Sequence, residues 1–591
     1  RSVTKSAVSC VFPSSPTLSD TMRICPRDIP PRSCWALEQA GIHPLLARLY
    51  AARGITSATE IDDDLTHLLP PGDLAGSEQA AHLLADAIAA NRHICVVADY
   101  DCDGATACAV ALRGLRLLGA QQTSYLVPDR ISDGYGLTPA IADRVHALGA
   151  ELLLTVDNGI ASVEGVSHAQ SLGLQVVVTD HHLPGDTLPA ANALVNPNLP
   201  NCPFASKNLA GVGVMFYVLL ALRSELRRRG AFPAQEQPRL DTLLPLVALG
   251  TVADVVRLDA NNRRLVAQGL KRIRRGQQPA GMAALFAVSG RAVQTASTFD
   301  LGFALGPRIN AAGRLANMGL GIELLLCDDA AHAAPLAQQL DTINRERRNT
   351  ESGMREHALA LASELFDTDA MPPAAISVFD ERFHEGVVGI VASRIKDTWH
   401  RPTFMFAASG APGKTHELKG SGRSIAGFHL RDALDLLAKR HPGVLLKFGG
   451  HAAAAGCTVA RDQFPVFEAA LRQIAGEWLD AATLQRTLQT DGALSAEFRR
   501  ADIAASLQQA IWGHGFDAPL FNEHMEVLQQ RLVGEKHLKL QLRHQGNVVD
   551  GIFFGRTAPL PAHAHLAYRL DINQWQGQQS VQFVVEGIEE A

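Results

Sequence analysis

The sequence lacks the features of a membrane-spanning or disulfide-stabilised protein. No stretch approaches the ~18 uninterrupted apolar residues that a membrane-spanning helix needs, and the longest run is Val214–Leu222. The nine cysteines are scattered, odd in number and without a C-x-x-C pair. We therefore predict reduced thiols in a cytoplasmic protein, with no contact to a membrane, no disulfide framework and no zinc site.

A surplus of basic charge is also missing. The 591 residues include 54 Lys and Arg against 60 Asp and Glu, which gives a net charge of −6. Any contact with nucleic acid must therefore come from a local groove. With 47% hydrophobic residues the chain can bury ordinary cores, and its length predicts roughly three to five domains.

The first 21 residues lack an initiator Met, are rich in Ser and Thr, and hold one acidic residue, Asp20. A transit peptide has a similar composition. We favour the alternative of a disordered extension over 1–21, upstream of a start at Met22. Residues 22–75 contain several prolines and predict an N-terminal helical segment.

Strands and helices alternate along residues 76–327. Apolar runs of strand length occur at Ile94–Ala98, Glu151–Val156 and Gln175–Thr179, and the helical spacing of Ala161–Leu172 separates the last two. Strands that alternate with helices of this length form βαβ units. The pattern therefore predicts an α/β domain with a parallel sheet.

Three further segments follow. Residues 328–368 contain few breakers and predict a long, exposed helix that connects two domains. Residues 369–480 hold Gly-rich segments and predict a second α/β domain. Apolar and polar residues alternate within 484–591, for example over Leu538–Leu542. This alternation predicts a C-terminal all-β barrel of the OB type, with a two-sheet sandwich as the alternative.

Acidic residues and histidines cluster where three predicted strands end, in Asp99–Gly104, Asp157–Gly159 and Asp180–His182. In an open parallel sheet, ligands bind outside the carboxyl ends of the strands, so these loops meet at one edge. Carboxylates gathered there repel each other, and a hard divalent cation removes that penalty. Oxygen ligands suit Mg²⁺ or Mn²⁺, imidazole favours Mn²⁺, and so many acidic ligands leave room for two ions.

Other functions for these residues fit the sequence less well. Asp99–Gly104 begins like an EF-hand loop, but its twelfth position is Val110 and it follows a strand. A lone Asp at a helix N-terminus, as Asp157 would be by itself, is more often a cap than a ligand. Three strand ends in succession favour the metal site. Asp254 follows an apolar run and by itself is unremarkable.

Together these motifs resemble the DHH phosphoesterase family, and in detail its RecJ-type single-stranded-DNA exonucleases. The resemblance covers roughly residues 40–590. Its motifs in the first domain are Asp99–Gly104, Pro128–Arg130, Gly134–Leu137, Asp157, Asp180–His182, Asp254 and Gly306–Arg314. Those similar to the DHH-associated domain and to the RecJ-type OB domain are His384–Gly389, Ser421–Ser424, Gly449–Gly456, Trp512–Phe521 and His537–Leu540. Cys102 departs from the usual Ala, but the flanking Asp side chains carry the motif.

The resemblance implies a metal-dependent nuclease site. The implied ligands of two ions, Mn²⁺ or Mg²⁺, are Asp99, Asp101, Asp103, Asp157, His181 and Asp254. Asp157 would bridge the ions, and Asp99 would complete or support the set. His182 would face the scissile phosphate, and Asp180 would orient a histidine.

The resemblance also implies catalytic groups near the cleft: Arg308, Asn310 and Arg314. Their positive charge and hydrogen-bond donors suit the non-bridging oxygens of a phosphate. Without the family, the two arginines are interpreted equally well as surface ion-pair residues.

Substrate contacts are implied in the second domain. Ser421 and Arg423, with Arg130, would bind the 5′-phosphate of the strand, whereas without the family the Ser421 segment is a turn. His451 is either a phosphate contact or a core histidine. Candidates for strand binding in the OB domain are Lys536, His537, Lys539 and Phe554, although Phe554 suits a packing role equally well.

The leading hypothesis is a 5′-to-3′ exonuclease that hydrolyses single-stranded DNA to 5′-mononucleotides with two metal ions. The family implies a role in DNA repair and recombination, with a single-strand-binding protein and a helicase as partners. A phosphodiesterase of short oligonucleotides or cyclic dinucleotides is one alternative, but such relatives resemble only the two central domains. A non-catalytic replication scaffold is another, but its metal ligands would be expected to be lost.

Overall fold

The structure is a computed structural model that describes residues 22–129, 133–365, 372–411, 413–575 and 578–589. The extension predicted at 1–21 and the residue Arg130 lie outside these ranges. Across the ranges described, no helix is both long enough and apolar enough to span a membrane.

A parallel sheet forms the centre of the first half of the chain. The N-terminal segment contains β1 (Arg23–Pro26), α1 (Pro31–Gln39), α2 (Pro44–Ala51) and α3 (Ser77–Ala89). The elements of the sheet region are β2 (Ile94–Ala98), α4 (Cys102–Leu117), β3 (Thr123–Leu126), α5 (Pro139–Ala147), β4 (Leu152–Val156), α6 (Val163–Ser171), β5 (Gln175–Thr179) and β6 (Ala193–Val195). The strands pair in the order β3-β2-β4-β5-β6, all parallel. Every residue of β2 and β4 is buried, which explains why these strands are continuous apolar runs.

Helices follow the sheet. They are α7 (Gly211–Arg228), α8 (Leu244–Ala253), α9 (Ala260–Arg274), α10 (Ala280–Ser289), α11 (Gly306–Leu315), α12 (Gly319–Leu326) and α13 (Ala330–Leu365). Helix α13 lies within residues 328–368, where the sequence predicts a connecting helix. The expectation that it is exposed is wrong around its middle, because Asn344, Arg347 and Glu351 are buried. Arg347 Nη1 donates to Glu351 Oε2 over 2.8 Å, and α13 packs against α10 and α11.

The second half of the chain holds a mixed sheet and a closed barrel. The mixed-sheet region contains β7 (Ile376–Phe379), α14 (Val388–Trp399), β8 (Thr403–Ala408), β9 (Glu417–Arg423), α15 (Leu430–Arg440), β10 (Leu445–Gly450), β11 (Ala454–Ala460) and α16 (Phe464–Trp478). Its strand order is β10-β11-β9-β8-β7, and only the β7–β8 pair is parallel.

The C-terminal elements are β12 (Thr487–Thr490), α17 (Ala501–Gln509), β13 (Phe521–Val533), β14 (His537–His544), β15 (Asn547–Phe554), β16 (His563–Trp575) and β17 (Gln578–Glu589). Strands β13 to β17 close into a five-stranded barrel in the order β13-β14-β15-β17-β16. This closure confirms the OB-type barrel and excludes the two-sheet sandwich. Strand β12 pairs with β1, so the N-terminal segment is attached to the barrel region.

An aromatic stack joins three parts of the chain. The ring of Phe516, just before the barrel, stacks on Tyr50 of α2 and on Trp512, with centroids 5.9 and 5.5 Å away. The guanidinium of Arg263, on α9, lies 4.3 Å from the Phe516 ring centroid. Arg53 continues the stack at 5.0 Å from Trp512. Buried aromatic and cation–π contacts of this kind fix the N-terminal segment and the barrel against the first domain.

We expect Phe516→Ala to lower the free energy of unfolding by about 3–5 kcal/mol, because it empties a buried ring site and removes these contacts. Phe554→Ala is the matched control, since its ring is 57% exposed, and it should change stability by less than about 0.5 kcal/mol. Urea-induced unfolding followed by circular dichroism measures both. Equal losses in the two variants would contradict the importance of the stack.

Candidate metal centre

The ends of three neighbouring strands bring the predicted residues together. Strands β2, β4 and β5 lie side by side and are followed directly by Asp99, Asp157 and Asp180. All three carboxyls are buried. Asp101 is also a helix cap, since its Oδ1 accepts a hydrogen bond from Gly104 N at the start of α4 over 2.9 Å. Asp157 is not a cap, because α6 begins only at Val163.

His181 lies at the centre of the cluster. Its Nε2 is 3.1 Å from Asp157 Oδ1, 3.4 Å from Asp254 Oδ2 and 3.9 Å from Asp103 Oδ2. Three overlapping groups have ligand atoms within 4.8 Å of one another: Asp157, His181 and His182; Asp103, His181 and Asp254; and Asp99, Asp101 and Asp157. The structure thus brings all six predicted ligands to one place.

Helix α7 holds Asp103, a contact that the sequence analysis missed. The backbone N–H groups of Gly211 and Val212 donate to Asp103 Oδ2 and Oδ1 over 2.6 and 2.9 Å. A Cβ atom on Gly211 would lie only 2.5 Å from the Asp157 Cβ, so glycine is required there. The free N–H groups of a helix N-terminus stabilise a carboxylate. The glycine-rich start of α7 was the available signal in the sequence.

Two buried polar atoms show that the residues of the cluster fit a metal ion. Asp157 Oδ1 and His181 Nε2 are both buried and have no hydrogen-bond partner among the described residues, although they face each other. Buried polar atoms are nearly always paired, and an unpaired one costs about 1–3 kcal/mol. Oxygen and imidazole donors that point into one space fit a divalent cation such as Mn²⁺ or Mg²⁺.

Burial sets the protonation of the metal-free cluster. It raises the pKa of Asp103 to about 7, and repulsion from Asp101 adds to this effect against the hydrogen bonds from α7. Burial and neighbouring carboxylates also raise the pKa of Asp99, Asp157 and Asp254. Because a bound cation needs ionised ligands, its binding must release protons near neutral pH.

Asp180 and His182 form a separate pair in the same loop. Asp180 Oδ1 accepts hydrogen bonds from His182 Nδ1 and from His181 N, both over 2.7 Å, and Oδ2 accepts one from Ile160 N over 2.9 Å. Burial lowers the pKa of His182, but the hydrogen bond and the charge of Asp180 outweigh it and raise the pKa to about 9. The histidine is therefore held in place as a cation.

Two asparagines, also missed by the sequence analysis, donate hydrogen bonds to the backbone of the His181–His182 loop. Asn196 Nδ2 donates to His182 O and Asn198 Nδ2 donates to His181 O, over 2.8 and 2.7 Å. They follow the short edge strand β6, and only that strand's pairing brings them under the loop. Tyr135 covers the loop on the solvent side, with its hydroxyl 3.4 Å from His182 Nδ1.

The three predicted groups of α11 have different surroundings. Asn310 Oδ1 accepts a hydrogen bond from Cys102 N over 2.7 Å and so supports the first acidic loop. Arg308 is buried, with its guanidinium 2.8 Å from Asp341 of α13, and its Nη1 also donates to Ala304 O over 2.6 Å. Arg314 donates to Gly386 O and lines a cavity of about 400 Å³ between the first and second domains.

The predicted phosphate residues of the second domain lie on one sheet face. Arg423 Nη1 donates to Ser421 Oγ over 3.1 Å, and a Cβ atom on Gly389 would lie within 3.0 Å of both side chains. The start of α14 therefore adjoins Ser421 and Arg423. His451 is exposed, and its pKa is lowered by its partial burial and by the charge of His182. Its exposure rules out the core-histidine interpretation of His451, and the effect of His182 places it near the histidine loop.

Family models match all three regions of the chain. The DHH family N-terminal domain matches residues 93–251, the DHHA1 domain residues 372–477 and the RecJ OB domain residues 490–587. A parallel sheet with this acidic edge, followed by a DHHA1 domain, defines a phosphoesterase of the DHH family.

Comparison with individual relatives identifies the family within this class. The chain is 49% identical over 559 residues to the single-stranded-DNA-specific exonuclease RecJ of Escherichia coli (strain K12), covering 93% of this chain and 96% of that protein. Crystal structures of RecJ from Thermus thermophilus with Mn²⁺ and with Mg²⁺ match with TM-scores of 0.81 and 0.75 and identities of 31% and 29%. Each match covers 97% of this chain and 80% or 79% of the crystal chain. The chain belongs to the RecJ family of single-stranded-DNA-specific exonucleases, as the resemblance predicted.

We expect metal binding to stabilise the protein more as the pH rises. The pKa of Asp103 is raised to about 7, and those of Asp99, Asp157 and Asp254 are raised as well, so the metal-free fold loses stability as the pH rises through the range from about 6.5 to 8. His181, whose pKa is lowered to about 4, stays neutral throughout this window. Calorimetric Tm values with Mn²⁺ and with EDTA should therefore differ more at pH 8 than at pH 6.5.

In Asp254→Asn most of this Mn²⁺-dependent rise in Tm should disappear, because one charged ligand is gone. An equal rise at the two pH values in the unsubstituted protein would show that binding releases no protons from the cluster.

Asp180→Asn should lower the pKa of His182 by at least about one unit, because the charge that stabilises the imidazolium is removed. NMR titration of the metal-free protein measures this shift. We also expect about a 10–100-fold loss of nuclease activity, the usual cost of removing a group that orients a site histidine. Asp143→Asn is the control, since Asp143 pairs with the exposed His168 and should leave His182 unchanged.

Proposed function

We propose that the protein hydrolyses single-stranded DNA from its 5′ end, one nucleotide at a time, and acts on repair and recombination intermediates. The observation that carries the proposal is the pair of orphaned buried atoms, Asp157 Oδ1 and His181 Nε2, inside three overlapping ligand groups. The RecJ barrel at the C-terminus supports a polymeric substrate over a small one.

We infer two divalent cations at this centre, with Asp157 between them. The groups Asp99–Asp101–Asp157 and Asp103–His181–Asp254 share no residue, and they meet where Asp157 Oδ1 lies 3.1 Å from His181 Nε2, so each group could hold one ion. The Thermus thermophilus RecJ structures contain Mn²⁺ and Mg²⁺, and the imidazole of His181 favours Mn²⁺. When bound, the cations supply an activated water and stabilise the leaving 3′ oxygen.

The side chains around the cluster bind and orient the strand. His182, held as a cation by Asp180, donates a hydrogen bond to a non-bridging oxygen of the scissile phosphate. Arg314 contributes positive charge from the wall of the neighbouring cavity. Asn310 keeps the first acidic loop in position through Cys102 N, and Arg308 keeps α11 against α13 through Asp341.

We infer that the second domain sets the direction in which the strand is digested. Ser421, Arg423 and the start of α14 form an anion site for the 5′-phosphate, with His451 between that site and the cluster. Arg130 is proposed to complete it. The fixed separation between this site and the cations then sets a product of one nucleotide.

The C-terminal barrel binds the DNA strand at nucleotides away from the cleavage site. Phe554 is 57% exposed and its ring stands edge-on to His537, with centroids 5.1 Å apart. Exposed aromatic rings beside basic side chains stack bases, and Lys536 and Lys539 supply the charge. A single-strand-binding protein and a helicase are proposed partners by family resemblance.

The two alternative functions agree less well with these observations. A phosphodiesterase of short oligonucleotides or cyclic dinucleotides leaves the barrel without a role. A non-catalytic scaffold has no need of the complete ligand set that converges on His181.

The test is digestion of one single-stranded oligonucleotide labelled at either its 5′ or its 3′ end, with Mn²⁺, Mg²⁺ or EDTA. We expect immediate release of the 5′-labelled mononucleotide and gradual shortening of the 3′-labelled strand. Asp157→Ala should reduce the rate by on the order of 10³-fold, since it removes the shared ligand. Asp502→Ala, which removes an exposed carboxylate that pairs with Arg500, is the control and should retain full activity. Release of 3′-labelled mononucleotides first would reverse the polarity, and no cleavage with either cation would refute the proposal.

A further inference from the structure

One face of the second sheet is open beside Ser421. Along β9 the side chains alternate, and Lys419, Ser421 and Arg423 share the face opposite the buried Leu418. Helix α14 packs over β8 and β9 on this face. The strands β11 and β10 continue the sheet beyond that helix, and on this face Gly456 and Lys447 are exposed, whereas Thr458 is buried.

Two rows of residues cross this open face in register. Ser421 pairs with Gly456, which pairs with Gly449. Two residues further along β9, Lys419 pairs with Thr458, which pairs with Lys447. This second row lies about 7 Å from the first, since a strand rises about 3.4 Å per residue.

The two lysines have no acidic partner among the described residues. Lys419 Nζ donates to Thr458 Oγ1 over 3.2 Å, and Lys447 is exposed. Neither forms an ion pair with a carboxylate in the part of the chain that the structure describes. Two ammonium groups on flexible stems, either side of a hydroxyl, suit a compact anion.

The first row carries no side chain beyond Ser421, although the backbone does not require glycine at its other two positions. A Cβ atom on Gly449 would meet nothing within 4 Å, and one on Gly456 would meet only Gly420 O at 3.7 Å. Neither residue has a left-handed φ. A ligand that enters beside Ser421 can therefore pass directly over the sheet to the lysines.

The order of residues along β9 and β10 shows on which side of Ser421 the acidic cluster lies. His451, at the end of β10 nearest Arg423, lies in the field of His182 and so marks the side of the acidic cluster. The lysines lie on the other side of Ser421. One further row along β9 comes Glu417, whose carboxylate lies 3.7 Å from Lys414 Nζ and pairs with it. Within the described residues, the lysines on this face that lack a carboxylate partner thus form a single row.

We propose that Lys419 and Lys447 bind the outer phosphates of a strand whose 5′ end carries a diphosphate or triphosphate. The proposal rests on the proposed function, in which Ser421 and Arg423 hold the first 5′-phosphate. A single row of lysines accommodates a short phosphate chain, whereas a further upstream nucleotide would lie against the Lys414–Glu417 ion pair. Strands begun from a nucleoside triphosphate carry this terminus, and the protein accepts them without prior removal of the outer phosphates.

The test measures binding of the full chain in EDTA by fluorescence anisotropy. Three oligodeoxynucleotides of one sequence, labelled at the 3′ end, carry a 5′-hydroxyl, 5′-monophosphate or 5′-triphosphate. We expect the triphosphate strand to bind about tenfold more tightly than the monophosphate strand. Lys419→Gln and Lys447→Gln should each remove most of that difference without changing affinity for the monophosphate. Lys439→Gln, an exposed lysine on α15 paired with Asp435, should change neither.

Equal affinity for the triphosphate and monophosphate strands would overturn the proposal. So would a triphosphate preference that survives in both lysine variants, or equal losses for all three strands. The assignment of Ser421 is tested separately by the monophosphate against the hydroxyl strand: if these bind equally and Ser421→Ala changes nothing, the proposed 5′-phosphate site fails instead.

Discussion

The mutual repulsion of carboxylates buried at one edge of the parallel sheet is the constraint on which the rest of the site depends. Burial and the repulsion between neighbouring carboxylates together raise the pKa values of Asp99, Asp103, Asp157 and Asp254 and so favour their protonated forms. The start of α7 offsets part of that cost at Asp103, and a divalent cation offsets the rest. Asp180 is buried in the same edge, yet its pKa is lowered, because hydrogen bonds and the adjacent histidine outweigh burial.

The fourth carboxylate depends on distant parts of the chain. Asp254 ends α8, outside the sheet, and the next residue, Val255, has a φ of +61°. A β-branched residue in this region carries strain of about 1–3 kcal/mol and persists only when its surroundings hold it. Just beyond it, Leu258 N donates to His514 O over 2.9 Å, in the segment that leads to the barrel. The segment that carries Phe516 is therefore hydrogen-bonded to the chain four residues after Asp254.

Much of the fold follows from local pattern. The bounds of β2 and β5 agree with the sequence prediction because central parallel strands are buried on both faces and read as continuous apolar runs. The edge strands Thr123–Leu126 and Ala193–Val195 were not predicted, since short edge strands carry a weaker apolar signal. The predicted exposure of α13 was wrong because its charged middle, around Arg347, is paired internally and buried.

The sequence by itself determined which residues reach the sheet edge, because parallel strands place the residues after them on one side. It also determined the alternation that closes the barrel. Only the tertiary structure decided that Asp103 is held by α7, that Asn196 and Asn198 support the histidine loop, and that Arg308 faces Asp341. Those contacts join residues separated by 14 to 108 positions, and no local periodicity encodes a partner so far along the chain.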